Sequence, residues 1–438
     1  MKRLAKLLVL SLCTTGPLMA QESDMSSTVK AEELYSDDYQ KFRFGGYGEM
    51  AASYMDYDWN WKTNVGTNHR NRATISIPRF ILAFDYKFSP KWVLSSEIEF
   101  EYGGTGAARE IEWDEENGEY ETEIEKGGEV ALEQFHISYL MNKHLNFRFG
   151  HMIVPVGLTN THHEPLNFFG VYRPEGETTI LPSTWHETGV AIFGDLGNFD
   201  YELQAVSGLD PQNFRREYWV GKGNQGAFEE TQFTHPAFVA RVNYNGVKKL
   251  QGLRVGASFY YNQPSKNSSK PSYNRDYKYP LTIVTADAQY KSPNNNLIAR
   301  GNIVYGHLGN SDQLANVNSH STGASGYPTT PMAETAVSYG AEIGYNIGSF
   351  FTSQKPIKLY PFFRYEYYNP MQSMEKGSVK LADRRLQKSV ITAGFNYYPL
   401  SNLVVKADYT HRIVGQGDYN SQNMVSIGIA YIGWFIKK

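Results

Sequence analysis

From residue 41 onward, hydrophobic and polar positions alternate with a period of two. Phe42, Phe44, Met50, Ala52 and Tyr54 fall on one parity, and Lys41, Arg43, Tyr47, Glu49 and Ser53 on the other. Successive side chains of an extended strand point to opposite faces, so this alternation predicts a strand with one apolar and one polar face. The pattern recurs over 41–54, 74–88, 92–102, 131–141, 145–150, 186–194, 199–208, 237–244, 253–262, 281–291, 297–306, 336–347, 358–368, 388–398, 403–412 and 424–436. That makes sixteen predicted strands, an even number.

The connections carry a second rhythm. Short links such as Ser89-Pro90-Lys91 and Asn142-Lys143-His144 alternate with long ones near 55–73, 103–130, 151–185, 209–236, 263–280, 307–335, 369–387 and 413–423. Short turns at one rim and long loops at the other are the layout of an outer-membrane barrel, and an even strand count leaves both termini on the short-turn, periplasmic side. Every backbone N–H and C=O in lipid must be paired within the protein, so a sheet spans a membrane only when closed. The expected fold is therefore all-β: a transmembrane antiparallel β-barrel of sixteen strands, with short periplasmic turns and long extracellular loops. The apolar parity then faces lipid and the polar parity the lumen, as in 92–102, where Trp92, Leu94, Ile98 and Phe100 point out and Glu97, Glu99 and Glu101 point in. Pro78 and Pro361 cannot donate to a strand ladder, and a closed barrel has no edge for them, so bulges or a rim are predicted there.

Composition sharpens this picture. A hydrophobic content of 41% and a mean hydropathy of −0.48 would suit an ordinary soluble protein. Yet 14% of the residues are aromatic, a content that fits rings anchored at two membrane interfaces. No uninterrupted apolar stretch beyond the N-terminus approaches the roughly 20 residues of a spanning helix. Residues 1–20 carry Lys2, Arg3 and Lys6, an apolar run from Leu7 to Leu12, and Ala20, the layout of a secretory signal peptide cleaved after Ala20. Residues 21–40 read as a flexible periplasmic lead, and 41–438 as the barrel. Cys13, the only cysteine, falls inside the signal, behind a Leu12 too bulky for lipidation, so neither disulfides nor thiolate metal sites are expected.

Two segments, Gly150-His151-Met152-Ile153-Val154-Pro155-Val156-Gly157 and Tyr172-Arg173-Pro174-Glu175 followed by Trp185-His186-Glu187-Thr188-Gly189, resemble the phosphate-selective porin O/P family. The resemblance spans the barrel, with its sharp motifs confined to these stretches. It implies a sixteen-stranded homotrimer for passive diffusion of small hydrophilic solutes, possible anions such as phosphate among them, with the loop after the fifth strand folded into the lumen. It also implies arginines and lysines at the constriction. Outer-membrane lipids and lipopolysaccharide are the expected partners besides solute. No cofactor, metal or nucleic acid is expected, and no enzyme activity.

Charge departs from that family pattern. Lumen-parity positions hold eleven basic residues, from Lys41 to Lys406, and eleven acidic ones, from Glu49 to Asp408, which argues against a strongly anion-selective tube. A local ring of one sign still governs passage more than net charge does. Loop 151–185 is the constriction candidate, and Arg173 is its only Lys or Arg. Arg148, Arg173, Arg79 and Arg364 are the candidate pore-constriction and anion contacts, because a guanidinium fork matches an oxyanion. For Arg173 the plainer reading is a tie within the loop or to a wall carboxylate.

Other readings carry less. His162-His163-Glu164 offers metal-ligand types, but neighbouring residues rarely point the same way. His186-Glu187 opens like a zinc-protease helix motif, yet Val190 stands where the second His belongs. Loop 103–130 is strongly acidic, from Glu110 to Glu129, which suits a solvated rim or divalent cations shared with lipopolysaccharide. An outer-membrane barrel hydrolase would draw on Ser183 and His186, and a plugged structural or adhesin-like barrel would need no pore.

Overall fold

The computed structural model describes residues 41–437 apart from 57–58, 61–64, 67–70, 105–106, 115–118, 127, 226–230, 248–249, 268–276, 321–330, 352–356 and 418–419. The expected signal peptide and periplasmic lead, 1–40, lie outside the described residues, as do the side chains of the acidic stretch from Glu110 to Glu125.

Sixteen antiparallel strands close into one barrel. They are β1 (Phe42–Asp56), β2 (Asn71–Ser89), β3 (Trp92–Glu101), β4 (Glu129–Asn142), β5 (Leu145–Ile153), β6 (His186–Leu196), β7 (Phe199–Val206), β8 (Ala237–Tyr244), β9 (Leu253–Asn262), β10 (Leu281–Lys291), β11 (Leu297–Leu308), β12 (Thr335–Tyr345), β13 (Lys358–Ser373), β14 (Lys388–Leu400), β15 (Leu403–Val414) and β16 (Ser421–Lys437). Each pairs with its sequence neighbours, and β1 closes on β16 from Arg43↔Lys437 to Met55↔Met424. Closure leaves no unpaired strand edge. Two short hairpins, Trp59–Asn60 with Val65–Gly66 and Ala107–Asp114 with Glu119–Lys126, lie within the first two long connections.

The alternation sorts as expected. Met50, Tyr54, Phe149, Val242, Ile303 and Ile429 are exposed on the outer face, while Arg43, Tyr47, Arg148, Arg241 and Asp287 are buried inside. At the short-turn rim, aromatic pairs such as Trp92–Tyr139 and Phe199–Tyr244 form part of an interfacial girdle. Pro78 occupies a β1–β2 register shift, where Glu49 pairs with Arg79 and Ala51 with Ser76. Pro361 lies beyond the last β12–β13 pair, Gly344↔Phe362, at the short-turn rim.

The inner face is not uniformly polar. On β8 the inward parity runs from Arg241 to Val239 and Ala237, and on β10 from Asp287 through Thr285 to Ile283 and Leu281. Toward the long-loop end these residues join Trp185, Phe214, Trp219, Tyr260, Leu314 and Met332 in an apolar core inside the barrel. Loops folding inward cover this surface, so apolar residues on the lumen parity face protein rather than water.

Candidate functional site: the inward-folded loop

The connection from β5 to β6, residues 154–185, leaves the wall and crosses the lumen. Its neck is closed by Val154 N donating to the Trp185 carbonyl at 2.9 Å. Asn160 reinforces this, giving Nδ2 to the Val154 carbonyl at 2.7 Å and accepting from Trp185 N at 2.6 Å. Glu177 caps the short helix Leu158–Thr161, accepting from Leu158 N at 3.0 Å and Asn160 N at 2.8 Å, and it also accepts from Asn302 Nδ2 on β11 at 2.7 Å. Gly157 is required there: its φ is +86°, and a Cβ would sit 2.2 Å from Glu177 Oε1. Burial pushes the Glu177 carboxyl up, against the backbone N–H groups that hold it charged.

The far side of the loop is fastened to β12, β13 and β15. Lys406 Nζ donates to the carbonyls of Pro165, Phe168 and Gly170 at 2.5, 2.8 and 2.9 Å. Val171 N donates to Asp408 Oδ2 at 2.6 Å, and Gly176 N to Glu366 Oε1 at 3.0 Å. Arg412 Nε meets Glu175 Oε1 at 2.5 Å. Burial alone would raise the Glu175 carboxyl, but the Arg412 guanidinium overrides it and holds the group below the usual carboxylate range. Farther round the wall, on β2 and β1, Arg79 Nη2 donates to the His163 carbonyl at 3.0 Å, and the His163 ring meets Tyr47. Burial pushes His163 down to about 4.

The four candidate arginines do not form one ring. Arg79 lies on Glu49 at 2.8 Å, Arg148 on Glu202 at 3.0 Å, and Arg364 on Glu366 at 3.0 Å. Arg173 donates instead to Ser183 Oγ at 3.0 Å and Thr184 Oγ1 at 2.7 Å, so it ties the loop to itself. Among the described residues Arg173 makes no ion pair, while the charges of Arg79, Glu99 and Glu49 bear on it. The same pairing recurs elsewhere in the lumen, with Arg43 on Asp85, Arg241 on Asp287, Arg254 on Asp200 and Arg300 on Glu342. Between the loop and β11–β13 a cleft is lined by His162, Asn167, Pro174, Arg300, Glu342 and Arg364, among others.

Two sequence readings come apart in three dimensions. His162 points toward Gln289 on β10, with Nε2 at 3.2 Å, while His163 points toward β1 and β4, so the adjacent pair cannot share one ion. Ser183 accepts from Arg173, and His186 Nδ1 lies 2.5 Å from His151 Nε2; no Ser183–His186 hydrogen bond occurs among the described residues. Sequence reasoning passed over Lys406 as a loop anchor, although its lumen parity was legible, and over Glu133, which no parity would have put inside.

No family model matches the chain. An uncharacterized protein of Aquifex aeolicus (strain VF5) is 26% identical over 392 residues, covering 89% of this chain and 79% of that one. Solved structures with a similar fold include OmpF of Salmonella typhi in complex with daunomycin, at a TM-score of 0.53 and 13% identity over 90% of this chain and 99% of that one. The anion-selective porin from Comamonas acidovorans gives 0.52 at 10% identity, covering 89% and 99%. The outer-membrane channel DcaP of Acinetobacter baumannii gives 0.52 at 12%, covering 91% and 98%. These likenesses show the fold, a porin-type barrel, and with its closed sixteen-stranded sheet and apolar outer belt the chain is a protein of the bacterial outer membrane.

Proposed function

We propose that this chain is a passive diffusion pore for small hydrophilic solutes, with loop 154–185 as its waist and weak ion selectivity. The observation that carries the reading is a charged lumen crossed by a loop that is tied to β11 at one side and to β2 at the other. Guanidinium groups already held by carboxylates have fewer donors left for a passing anion. That pairing speaks against the dedicated phosphate site of the family that the sequence resembles. Arg173 is the foremost of the anion contacts proposed with Arg148, Arg79 and Arg364, because hydroxyls rather than a carboxylate hold it. A modest anion preference follows from this cation, which no carboxylate holds by a direct contact. The resemblance also supports a homotrimer, with lipid and lipopolysaccharide around the apolar belt.

Planar-bilayer recordings in a salt gradient test this. The expected result is a stable open conductance with a reversal potential slightly on the anion side. Block by low phosphate would favour the specialised family function. The second reading, a plugged structural barrel, is favoured by the apolar core inside the β6–β12 side, and it predicts no conductance at all.

A further inference from the structure

Glu97 on β3, Glu133 on β4 and His163 in the inward loop bring their ligand-type atoms within 4.8 Å of one another. Glu133 reaches this place through a β-bulge. Gln134 pairs with Glu97 and Leu132 with Ile98, so Glu133 is the extra residue between them. Strict alternation with the inward Gln134 and His136 would send Glu133 into lipid; the bulge re-aims it into the barrel. There it is 0% exposed, and neither of its carboxylate oxygens has a hydrogen-bond partner.

The ring of His163 explains why that carboxylate goes unserved. Nδ1 lies 2.9 Å from the Asn160 carbonyl, which only accepts, so Nδ1 carries a proton. In the neutral imidazole Nε2 then presents a lone pair, and Glu133 Oε1 lies 2.9 Å from it. The Tyr47 hydroxyl, 2.9 Å from the same nitrogen, has one proton to give. Two buried electron-rich atoms are thus left facing each other, a costly arrangement unless a positive charge joins them. Arg79 does not supply it by hydrogen bonding: its Nε goes to Glu49, its Nη2 goes to the His163 carbonyl, and its Nη1, like both Glu133 oxygens, makes no hydrogen bond.

We propose that Glu97, Glu133 and His163 bind a divalent first-row cation of the zinc class, which staples the inward loop to the β3–β4 wall. One imidazole and two carboxylates are a ligand set that suits such an ion, at about 2.0–2.2 Å to nitrogen and oxygen. Glu97, held by Gln134 at 2.7 Å, is the third ligand. The Asn160 carbonyl on Nδ1 is the outer partner that fixes the ring and its tautomer. The bulge accounts for a carboxylate at a position where the strand pattern calls for a lipid-facing side chain.

The test uses the full-length barrel, folded in detergent, stripped with chelator and dialysed. Zinc is then titrated calorimetrically, and bound metal is counted by mass spectrometry. The expected result is one zinc per chain, a raised unfolding temperature, and affinity at least about a hundredfold weaker in Glu133→Gln and in Glu97→Gln. Heat-modifiable mobility confirms that each variant is folded, and the Glu97 variant serves if Glu133→Gln does not fold. Zinc uptake by the wild type no greater than by the variants overturns the proposal, as does binding without any change in unfolding temperature.

Discussion

Lys406 Nζ on β15 lies 2.8 Å from the carbonyl oxygen of Phe168, in a loop that begins on the fifth strand. Its other two donors go to the Pro165 and Gly170 carbonyls, so one ammonium satisfies three backbone groups of a segment with no regular structure. The same atom lies 4.2 Å from the Phe168 ring centroid. Lys406→Met keeps the stem and removes the charge, leaving buried carbonyls unserved at about 1–3 kcal/mol each. The variant should unfold at lower temperature and show noisier single-channel current than the wild type. Indistinguishable traces and unfolding temperature would mean the loop is held without it.

The Glu175–Arg412 contact sets a pH window. Because the Glu175 carboxyl is held below its ordinary value of 4.5, its stabilisation is complete above that pH and is lost as pH falls through the lower folded value. Loop anchoring should therefore persist from pH 7 to about 5 and weaken only in stronger acid. Glu175→Gln should abolish the acid-dependent step and destabilise the fold by less than the roughly 3 kcal/mol of a fully buried pair, because Glu175 is only partly buried. Conductance and thermal unfolding against pH check both. A transition near pH 6 that survives in the variant would assign the acid response to another group.

Arg173 tests the selectivity reading. Charges farther apart than a Debye length of about 8–10 Å are screened in a wet lumen. A residue that shifts the reversal potential must therefore lie close to the narrowest point. Arg173→Glu replaces a cation held by hydroxyls with an anion that feels the charges of Glu49 and Glu99. The reversal potential should move toward cations while the channel stays open. An unchanged potential would place the constriction elsewhere in the lumen.

Most of the barrel was legible in the sequence, because period-two patterning and the long-short rhythm of connections both follow from strand geometry. Pro78 and Pro361 were placed by the same logic, since a missing N–H tolerates only a bulge or a rim. What failed was the equation of parity with environment. Glu133 sits on the lipid parity and points inward, because one bulged residue inverts the alternation. Val239 and Ile283 sit on the lumen parity and are dry, because the loops above them fold down. The pairing of Arg148 with Glu202, two strands away, was equally hidden: it depends on register across neighbouring strands, not on spacing within one.

Labelling fixes the orientation directly. Val379, 94% exposed in the long loop before β14, and Lys143, in the two-residue turn after β4, lie at opposite rims. With Cys13 the chain's only cysteine, Val379→Cys should react with a membrane-impermeant maleimide on intact cells, and Lys143→Cys only after lysis. The reverse order would invert the barrel.

Trp219 decides whether the apolar core narrows the pore or lies beside it. Its indole is fully buried, donates Nε1 to the Ala333 carbonyl at 3.2 Å, and packs against Gly306 on β11 so closely that a Cβ there would stand 2.0 Å from the ring. Only glycine leaves room, so Gly306→Val must push the indole away and destabilise the fold. Trp219→Ala removes the ring instead, at about 3–5 kcal/mol for a large buried aromatic. If the ion path runs along this core, the loosened side should carry more current, and conductance should rise in Trp219→Ala while selectivity set at Arg173 stays put. A conductance equal to the wild type, in a variant confirmed as folded and destabilised, would show that the path runs wholly along the β12–β16 and β1–β3 side.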